Sequence, residues 1–119
     1  MNSQSNAVSK SMKYLNVNNL LLEPIIVSMR VVLFGSRAPG GSPHEDSDFD
    51  LALVVPNDIS KPAVIEYFSH MCPSATIDSF PDYGSNPRPL HLLVMHESEY
   101  LNPVHALSSN VRQGVSLVS

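Results

Sequence analysis

Short apolar runs, separated by prolines, glycines and polar residues, predict strands and helices along this chain. Residues 30–34 contain four consecutive apolar residues followed by a glycine, which is typical of a strand buried on both faces. Residues 48–55 predict a second strand, in which Asp48 and Asp50 point to the same face because side chains alternate along a strand. The same criteria predict three more strands, over 76–80, 90–95 and 115–118.

Helical spacing of apolar residues occurs in three other segments. Residues 20–29 predict a short or broken helix, since a proline interrupts their apolar stripe. Residues 60–71 predict a longer helix, which begins with a serine that can cap its first turn. Asn102 is expected to cap a last helix, with Pro103 at its first position and Gly114 at its end.

The order of these elements predicts an α+β domain with a small mixed β-sheet. We expect the helices to pack mainly on one face and the opposite face, which carries Asp48 and Asp50, to be left open. The length of 119 residues suffices for one hydrophobic core. We therefore divide the chain into a polar N-terminal tail over 1–13 and a single domain over 14–119.

The composition excludes several classes of protein. Apolar residues form 43% of the chain and charged residues 15%, which excludes wholesale disorder. A net charge of −4 gives no general electrostatic attraction to nucleic acid. Cys72 is the single cysteine, so the chain forms neither an internal disulfide nor a cysteine metal cluster. No apolar run has the length of a membrane span and the first residues lack the apolar segment of a signal peptide, so we expect a cytoplasmic protein that does not contact a membrane.

The two aspartates of the second strand predict a metal site. Asp48 and Asp50 would lie about 6–7 Å apart on one face, where they repel each other and resist desolvation. A divalent cation removes both costs, and oxygen ligands favour a hard ion such as Mg²⁺.

The turn after the first strand predicts a phosphate site beside it. Gly35 and Ser36 directly follow the buried strand, so backbone N–H groups of the turn and the serine hydroxyl can hold phosphate oxygens. Arg37 adds a cation that can bind a phosphate through both arms of its guanidinium group. A phosphate site next to a metal site is suited to a metal-bound nucleoside triphosphate.

Two short motifs in these segments resemble a known family. The sequences LFGSRA at 33–38 and SDFDL at 47–51 resemble the signature of the DNA polymerase beta-like nucleotidyltransferase superfamily. The surrounding elements follow the family order from residue 18 to the C-terminus, and the small one-domain members, the antitoxin-like minimal nucleotidyltransferases, are the most similar. The resemblance implies the polymerase beta-like nucleotidyltransferase fold.

The resemblance also implies a reaction and the residues that carry it. Asp48 and Asp50 would hold two Mg²⁺ ions that bridge the nucleotide and the attacking hydroxyl. A third carboxylate, on a later strand, would complete the metal site and help to deprotonate that hydroxyl. A nucleoside monophosphate, with ATP as the expected donor, would pass to a hydroxyl while pyrophosphate leaves. The triphosphate would be bound by Gly35, Ser36, Arg37 and Ser47.

The sequence departs from the family signature at the position of the third carboxylate. His91 stands there, and we expect it to face Asp50 across neighbouring strands. An imidazole accepts a proton or binds some metals but suits Mg²⁺ poorly, so the second ion is unassigned. Asp78 and Asp82 would replace His91 only if the alignment shifts. A smaller departure is Pro39, which replaces a basic residue in a loop slightly longer than usual. The catalytic set is therefore Asp48, Asp50 and His91.

Simpler interpretations stay open for three of these features. Arg37 is as well placed in the sequence to pair with Glu45 or Asp46 as with a phosphate. An Asp-x-Asp pair alone is most often a solvated strand end, although the preceding Gly-Ser turn favours a metal site. His91 is either a partly buried structural histidine or a base.

Three functions are compatible with these motifs. An active nucleotidyltransferase would modify a protein, an RNA or a small molecule. Because minimal members are often antitoxins that adenylylate a HEPN-domain toxin, a HEPN-type protein is a natural partner. A degenerate member would bind nucleotide and act as a regulatory subunit, which His91 favours. An interaction protein would use the open sheet face and bind no nucleotide.

The size of the chain predicts a partner. Larger family members use a second domain to hold the acceptor or the base, and 119 residues leave no room for one. We therefore expect a homodimer or a complex with another protein, with residues 20–29 and the last helix as candidate contact faces.

Overall fold

The computed structural model describes residues 29–35, 49–84 and 88–118. The tail predicted over 1–13 and the domain boundary at residue 14 lie outside these ranges. The broken helix predicted over 20–29 also lies outside them, except for its last residue. The tail, the boundary and this helix therefore remain predictions.

The described chain is an α+β fold with a mixed sheet, as the sequence predicts. Every strand expected from the apolar runs is present, with ends that differ by one residue at most. The longest described helix has 11 residues, and none of the described helices is long and apolar enough to cross a membrane. The strands are β1 (Arg30–Phe34), β2 (Phe49–Val55), β3 (Ala75–Ser79), β4 (Leu90–His96) and β5 (Val115–Val118). The helices are α1 (Lys61–Met71), α2 (Glu97–Tyr100) and α3 (Ala106–Arg112).

The five strands lie in the order β3-β4-β2-β1-β5. β4 runs parallel to both of its neighbours, β2 and β3, whereas β1 runs antiparallel to β2 and β5. In this register Phe34 is opposite Asp50, and Asp50 is opposite His91. The end of β1 and the starts of β2 and β4 therefore meet at one edge of the sheet.

Helices cover both faces of the sheet in the described chain, so the expectation of helices mainly on one face, with the other face open, is wrong. The cause is the apolar character of the central strands, which are buried on both faces and require a cover on each. One face packs against Val64 and Phe68 of α1 through Val31, Leu33, Leu51, Leu53, Val55, Leu92 and Val94. The other packs against Tyr100 and Val111, from α2 and α3, through Val32, Phe34, Ala52, Val54, Leu93 and Met95.

The first helix confirms its predicted start. Ser60 is the N-cap of α1, and its hydroxyl accepts a hydrogen bond from the Ala63 N–H at 3.4 Å. Pro62 lies in the first turn, where its missing N–H costs no helical hydrogen bond.

The start of the last helix differs from the prediction. Asn102 does not cap it, because its side-chain oxygen accepts from the N–H groups of Val104 and His105 at 2.9 and 3.2 Å and closes a turn. His105 is the N-cap instead, since its Nδ1 accepts from the Leu107 N–H at 3.2 Å. The sequence pattern also missed α2, which has four residues and too few turns to show a helical period.

Gly114 lies in the turn between α3 and β5, against the backbone of β1. A Cβ atom at this position would collide with the Leu33 carbonyl oxygen and lie 3.0 Å from Cβ of Phe34. We expect Gly114→Ala to lower the free energy of unfolding by about 1–3 kcal/mol, because neither backbone segment can move without disturbing the sheet. Urea denaturation of Gly114→Ala and of Gly84→Ala makes the comparison, since a Cβ at Gly84 meets nothing within 4 Å. Equal midpoints for the two variants would contradict this packing argument.

Candidate functional site

Three of the predicted site residues meet at the edge where β1 ends and β2 and β4 begin. Gly35 directly follows β1, Asp50 is the second residue of β2, and His91 is the second residue of β4. The other predicted residues, Ser36, Arg37, Ser47 and Asp48, lie outside the described ranges.

Gly35 brings the backbone against the carboxylate of Asp50. Its φ angle is +76°, in the region that favours glycine. A Cβ atom there would lie 2.5 Å from Oδ2 of Asp50, which is closer than a non-bonded carbon and oxygen can approach. The strand end therefore requires glycine for two reasons, the positive φ angle of Gly35 and the closeness of the Asp50 carboxylate.

His91 faces Asp50 across neighbouring strands, which confirms the predicted register. Its Nδ1 lies 3.9 Å from Oδ1 of Asp50, and its Nε2 lies 2.7 Å from Oδ2 of Asp78 on β3. The His91 side chain is 2% exposed, whereas those of Asp50 and Asp78 are 18% and 29% exposed. An imidazole is thus held between two carboxylates on adjacent strands.

Asp78 joins the site without replacing His91. From the sequence, Asp78 would be a site residue only if the alignment shifted. In the structure, parallel pairing of β3 and β4 brings its carboxylate to Nε2 of His91. Asp82 is exposed in the turn that follows β3.

Tyr83 covers His91 and Asp50 and was not predicted from the sequence. Its hydroxyl donates a hydrogen bond to Oδ1 of Asp50. Its ring stacks on the ring of His91, with centroids 4.0 Å apart and planes at 14°, and lies 5.6 Å from the ring of Phe34. A signal was present, since Tyr83 is an aromatic residue in a turn-rich segment between two strands that both contribute to the site.

The donor atoms of this cluster suit a second Mg²⁺ poorly. Mg²⁺ takes oxygen ligands in near-ideal octahedral geometry, whereas His91, which stands where the family resemblance predicts a third carboxylate, offers an imidazole nitrogen. In the part of the chain that the structure describes, no three histidine, cysteine, aspartate or glutamate side chains are grouped as a metal site. A pair of Mg²⁺ ions held partly at His91 does not fit these residues. Asp48, the other predicted metal ligand, is outside the described chain.

Two of the three other described histidines have structural partners. Nε2 of His96 lies 2.7 Å from the Ile59 carbonyl oxygen, and His105 caps α3. His70 is exposed near the end of α1. None of these three belongs to the cluster around Asp50.

Cys72 lies at the end of α1 and is half-buried. Burial raises the pKa of its thiol above the ordinary value. The thiol therefore stays protonated at neutral pH, and a thiol is a far weaker nucleophile than a thiolate. This agrees with a packing role for Cys72.

Comparison with known proteins identified no relative of this chain. No family model matches the chain, and no curated protein or solved structure matches it. The function is therefore argued from the motifs and from the geometry of the site.

Proposed function

We propose that this chain is a nucleotidyltransferase-like domain that binds a nucleoside triphosphate, with ATP as the first candidate. The single observation that carries the proposal is the position of the Asp50 carboxylate beside Gly35, where a Cβ atom would lie 2.5 Å from Oδ2 of Asp50. It brings a strand-end turn of the kind that holds phosphates beside a carboxylate of the kind that holds their metal ion. Ser36, Arg37 and Ser47 would bind the phosphates, and Asp48 and Asp50 would hold Mg²⁺.

The reaction of this family class moves a nucleoside monophosphate onto a hydroxyl of a protein, an RNA or a small molecule. The bond between the α-phosphorus and its bridging oxygen breaks, a new bond to the hydroxyl oxygen forms, and pyrophosphate leaves. The proton of the hydroxyl must pass to a base. In this chain the residue at the position of the usual third carboxylate is His91.

The surroundings of His91 favour a second candidate, a nucleotide-binding subunit that transfers slowly or not at all. Nε2 of His91 is engaged by Asp78, and the Tyr83 ring covers one face of the imidazole. The Tyr83 hydroxyl also engages the Asp50 carboxylate. Tyr83 must move before His91 reaches an acceptor, so we expect transfer to be slow and a regulatory or antitoxin role to suit the protein better.

A protein partner would supply the acceptor for the first candidate and the regulated target for the second. A HEPN-type protein, or a second copy of this chain, would do so. Leu101 and Val104, in the segment between α2 and α3, are 58% and 88% exposed and support a contact surface there. This segment directly precedes the last helix, which the sequence predicts as a contact face.

Calorimetry with ATP and Mg²⁺ tests the binding that both candidates share. We expect the parent chain to bind ATP when Mg²⁺ is present. We expect Gly35→Val to lose that binding in a domain that still folds but melts at a lower temperature, because the positive φ angle and the clash with Asp50 strain the strand end. Gly84→Val is the control, because a Cβ at Gly84 has open space around it. Absence of ATP binding by the parent, or unchanged binding by Gly35→Val, would contradict the proposed nucleotide site.

Mass spectrometry then separates the two candidates. The chain is co-expressed with its gene neighbour, and nucleotide addition to either protein is measured over time. Rapid addition supports the active transferase, and ATP binding without addition supports the regulatory subunit.

A further inference from the structure

Tyr83 covers the end of the sheet face that carries the candidate site. Asp50 and His91 point to this face, because side chains alternate along a strand and Ala52 and Leu93 belong to the apolar cluster under α2 and α3. Tyr83 packs against the same cluster. It therefore extends the cover of this face to the edge where β2 and β4 begin.

The Tyr83 side chain engages the site at two points. Its hydroxyl donates a hydrogen bond to Oδ1 of Asp50, and its ring stacks on the ring of His91 with centroids 4.0 Å apart. The other carboxylate oxygen, Oδ2, faces the position of Gly35. The carboxylate that the proposed function assigns to Mg²⁺ is thus engaged by another side chain of the same protein.

The Tyr83 side chain can leave this position while the core stays in place. Phe80 is 7% exposed and its N–H donates to the Val94 carbonyl oxygen at 2.9 Å, which fixes the chain just after β3. Asp82 and Gly84, the residues on either side of Tyr83, are exposed. Rotation of the Tyr83 side chain about its Cα–Cβ bond is therefore the smallest movement that releases the carboxylate.

We propose that Tyr83 makes an autoinhibitory contact, in which it holds Asp50 and covers His91 until Mg²⁺ and ATP displace it. A metal ion that uses Oδ1 of Asp50 must replace the hydroxyl there. ATP then binds only the fraction of molecules in which Tyr83 has turned away, and the apparent affinity is reduced by that fraction. The proposal rests on the proposed function, because it names the regulation of the same nucleotide site.

Tyr83→Phe tests the contact, since it keeps the ring and removes the hydroxyl. Calorimetry is expected to show that ATP with Mg²⁺ binds this variant about 10-fold more tightly than the parent, because a hydrogen bond to a charged group no longer has to be broken. Without ligand, the variant is expected to melt at a lower temperature than the parent. A residue with only a structural role would lower stability without raising affinity.

Tyr67→Phe is the matched control. It also removes a tyrosine hydroxyl, but from α1, where Tyr67 packs on the opposite face of the sheet. We expect this variant to keep the ATP affinity of the parent. An equal gain in affinity in Tyr67→Phe would show that the effect does not come from Asp50, and it would overturn the proposal.

Nuclear magnetic resonance of the parent chain tests the movement without any variant. Ring protons of Tyr83 and His91 are close enough to give a nuclear Overhauser signal, and we expect this signal in the protein without ligand. We expect it to disappear when Mg²⁺ and ATP are added to saturation. A signal that persists at saturation, or that is missing before ATP is added, would refute the autoinhibitory contact.

The calorimetry also separates this proposal from the proposed function. If the parent binds ATP and Tyr83→Phe binds it equally or more weakly, the autoinhibitory contact is refuted and the nucleotide site stands. Equal binding would mean that the ion uses Oδ2 of Asp50 and leaves the hydroxyl in place. Absence of ATP binding in both chains would refute the nucleotide site, and its regulation with it.

Discussion

Asp50→Asn is expected to weaken Mg²⁺-dependent ATP binding by more than about 100-fold. Loss of a residue that hydrogen-bonds to a metal ligand weakens metal binding by about 10–100-fold, and loss of the ligand itself should weaken it at least as much. The amide has the shape of the carboxylate and keeps an oxygen that can accept the Tyr83 hydroxyl, so the packing around Gly35 is retained. Only the charge that attracts the metal is removed. Calorimetry with and without Mg²⁺ measures the loss.

The stability of Asp50→Asn separates a loss of binding from a loss of fold. The sequence predicts that Asp48 and Asp50 repel each other, so we expect the melting temperature of the variant to equal or exceed that of the parent. Asp82→Asn is the matched control, since it neutralises an exposed carboxylate in a nearby turn and is expected to bind ATP normally. If Asp50→Asn bound Mg²⁺ and ATP as the parent does, Asp50 would not be a metal ligand.

His91→Asp is expected to make the stability of the domain depend on metal. The substitution places a third carboxylate between Asp50 and Asp78 in a site where the native side chain is 2% exposed. Without metal, the substitution removes the imidazole that contacts Asp78 and adds a carboxylate close to Asp50 and Asp78, and we expect a loss of about 3–5 kcal/mol in the free energy of unfolding. Urea denaturation with and without Mg²⁺ is expected to show recovery when the ion binds. His70→Asp, at an exposed position, is expected to show neither change.

The same variant tests the role of His91 in transfer. Three carboxylates restore the usual oxygen set, so we expect His91→Asp to raise nucleotidyl transfer, or to create it, and to increase its dependence on Mg²⁺. The assay follows labelled ATP with parent and variant at several Mg²⁺ concentrations. Strong transfer by the parent that falls in His91→Asp would show instead that the imidazole itself takes part in the reaction.

The strands were predictable because burial constrains their sequence directly. A segment such as Val31 to Phe34 is covered on both faces and contains no polar residue. The resulting apolar run can be recognised in the sequence without knowledge of the tertiary structure. The α1 cap was predictable for a local reason, since Ser60 and the following proline act within one turn. The start of α3 was not, because Asn102 followed by Pro103 has the composition of a helix cap and of a closed turn alike.

The site was predictable only where its residues belong to a motif. Gly35 and Asp50 lie in the two motifs, and His91 follows from the alignment of the later strand. Asp78 and Tyr83 depend on the pairing of β3 with β4 and on the path of the next turn, which are tertiary facts. The sequence shows that an aspartate and a tyrosine are present, but it does not show which side chain they contact. A sequence motif does not include residues such as Asp78, which reach the site only through a contact with another residue.

Because β2 pairs with β4, the cluster around His91 forms only after most of the chain has been synthesised. Asp50 and Tyr83 are 33 positions apart, and His91 follows both, so the contacts of the site join segments that leave the ribosome at different times. Contacts between distant segments form late in folding, because the intervening chain must first be ordered. A nascent chain that ends before β4 has the glycine turn and the first aspartates but no imidazole between carboxylates. The cluster of Asp50, Asp78 and His91 is therefore complete only in the finished sheet.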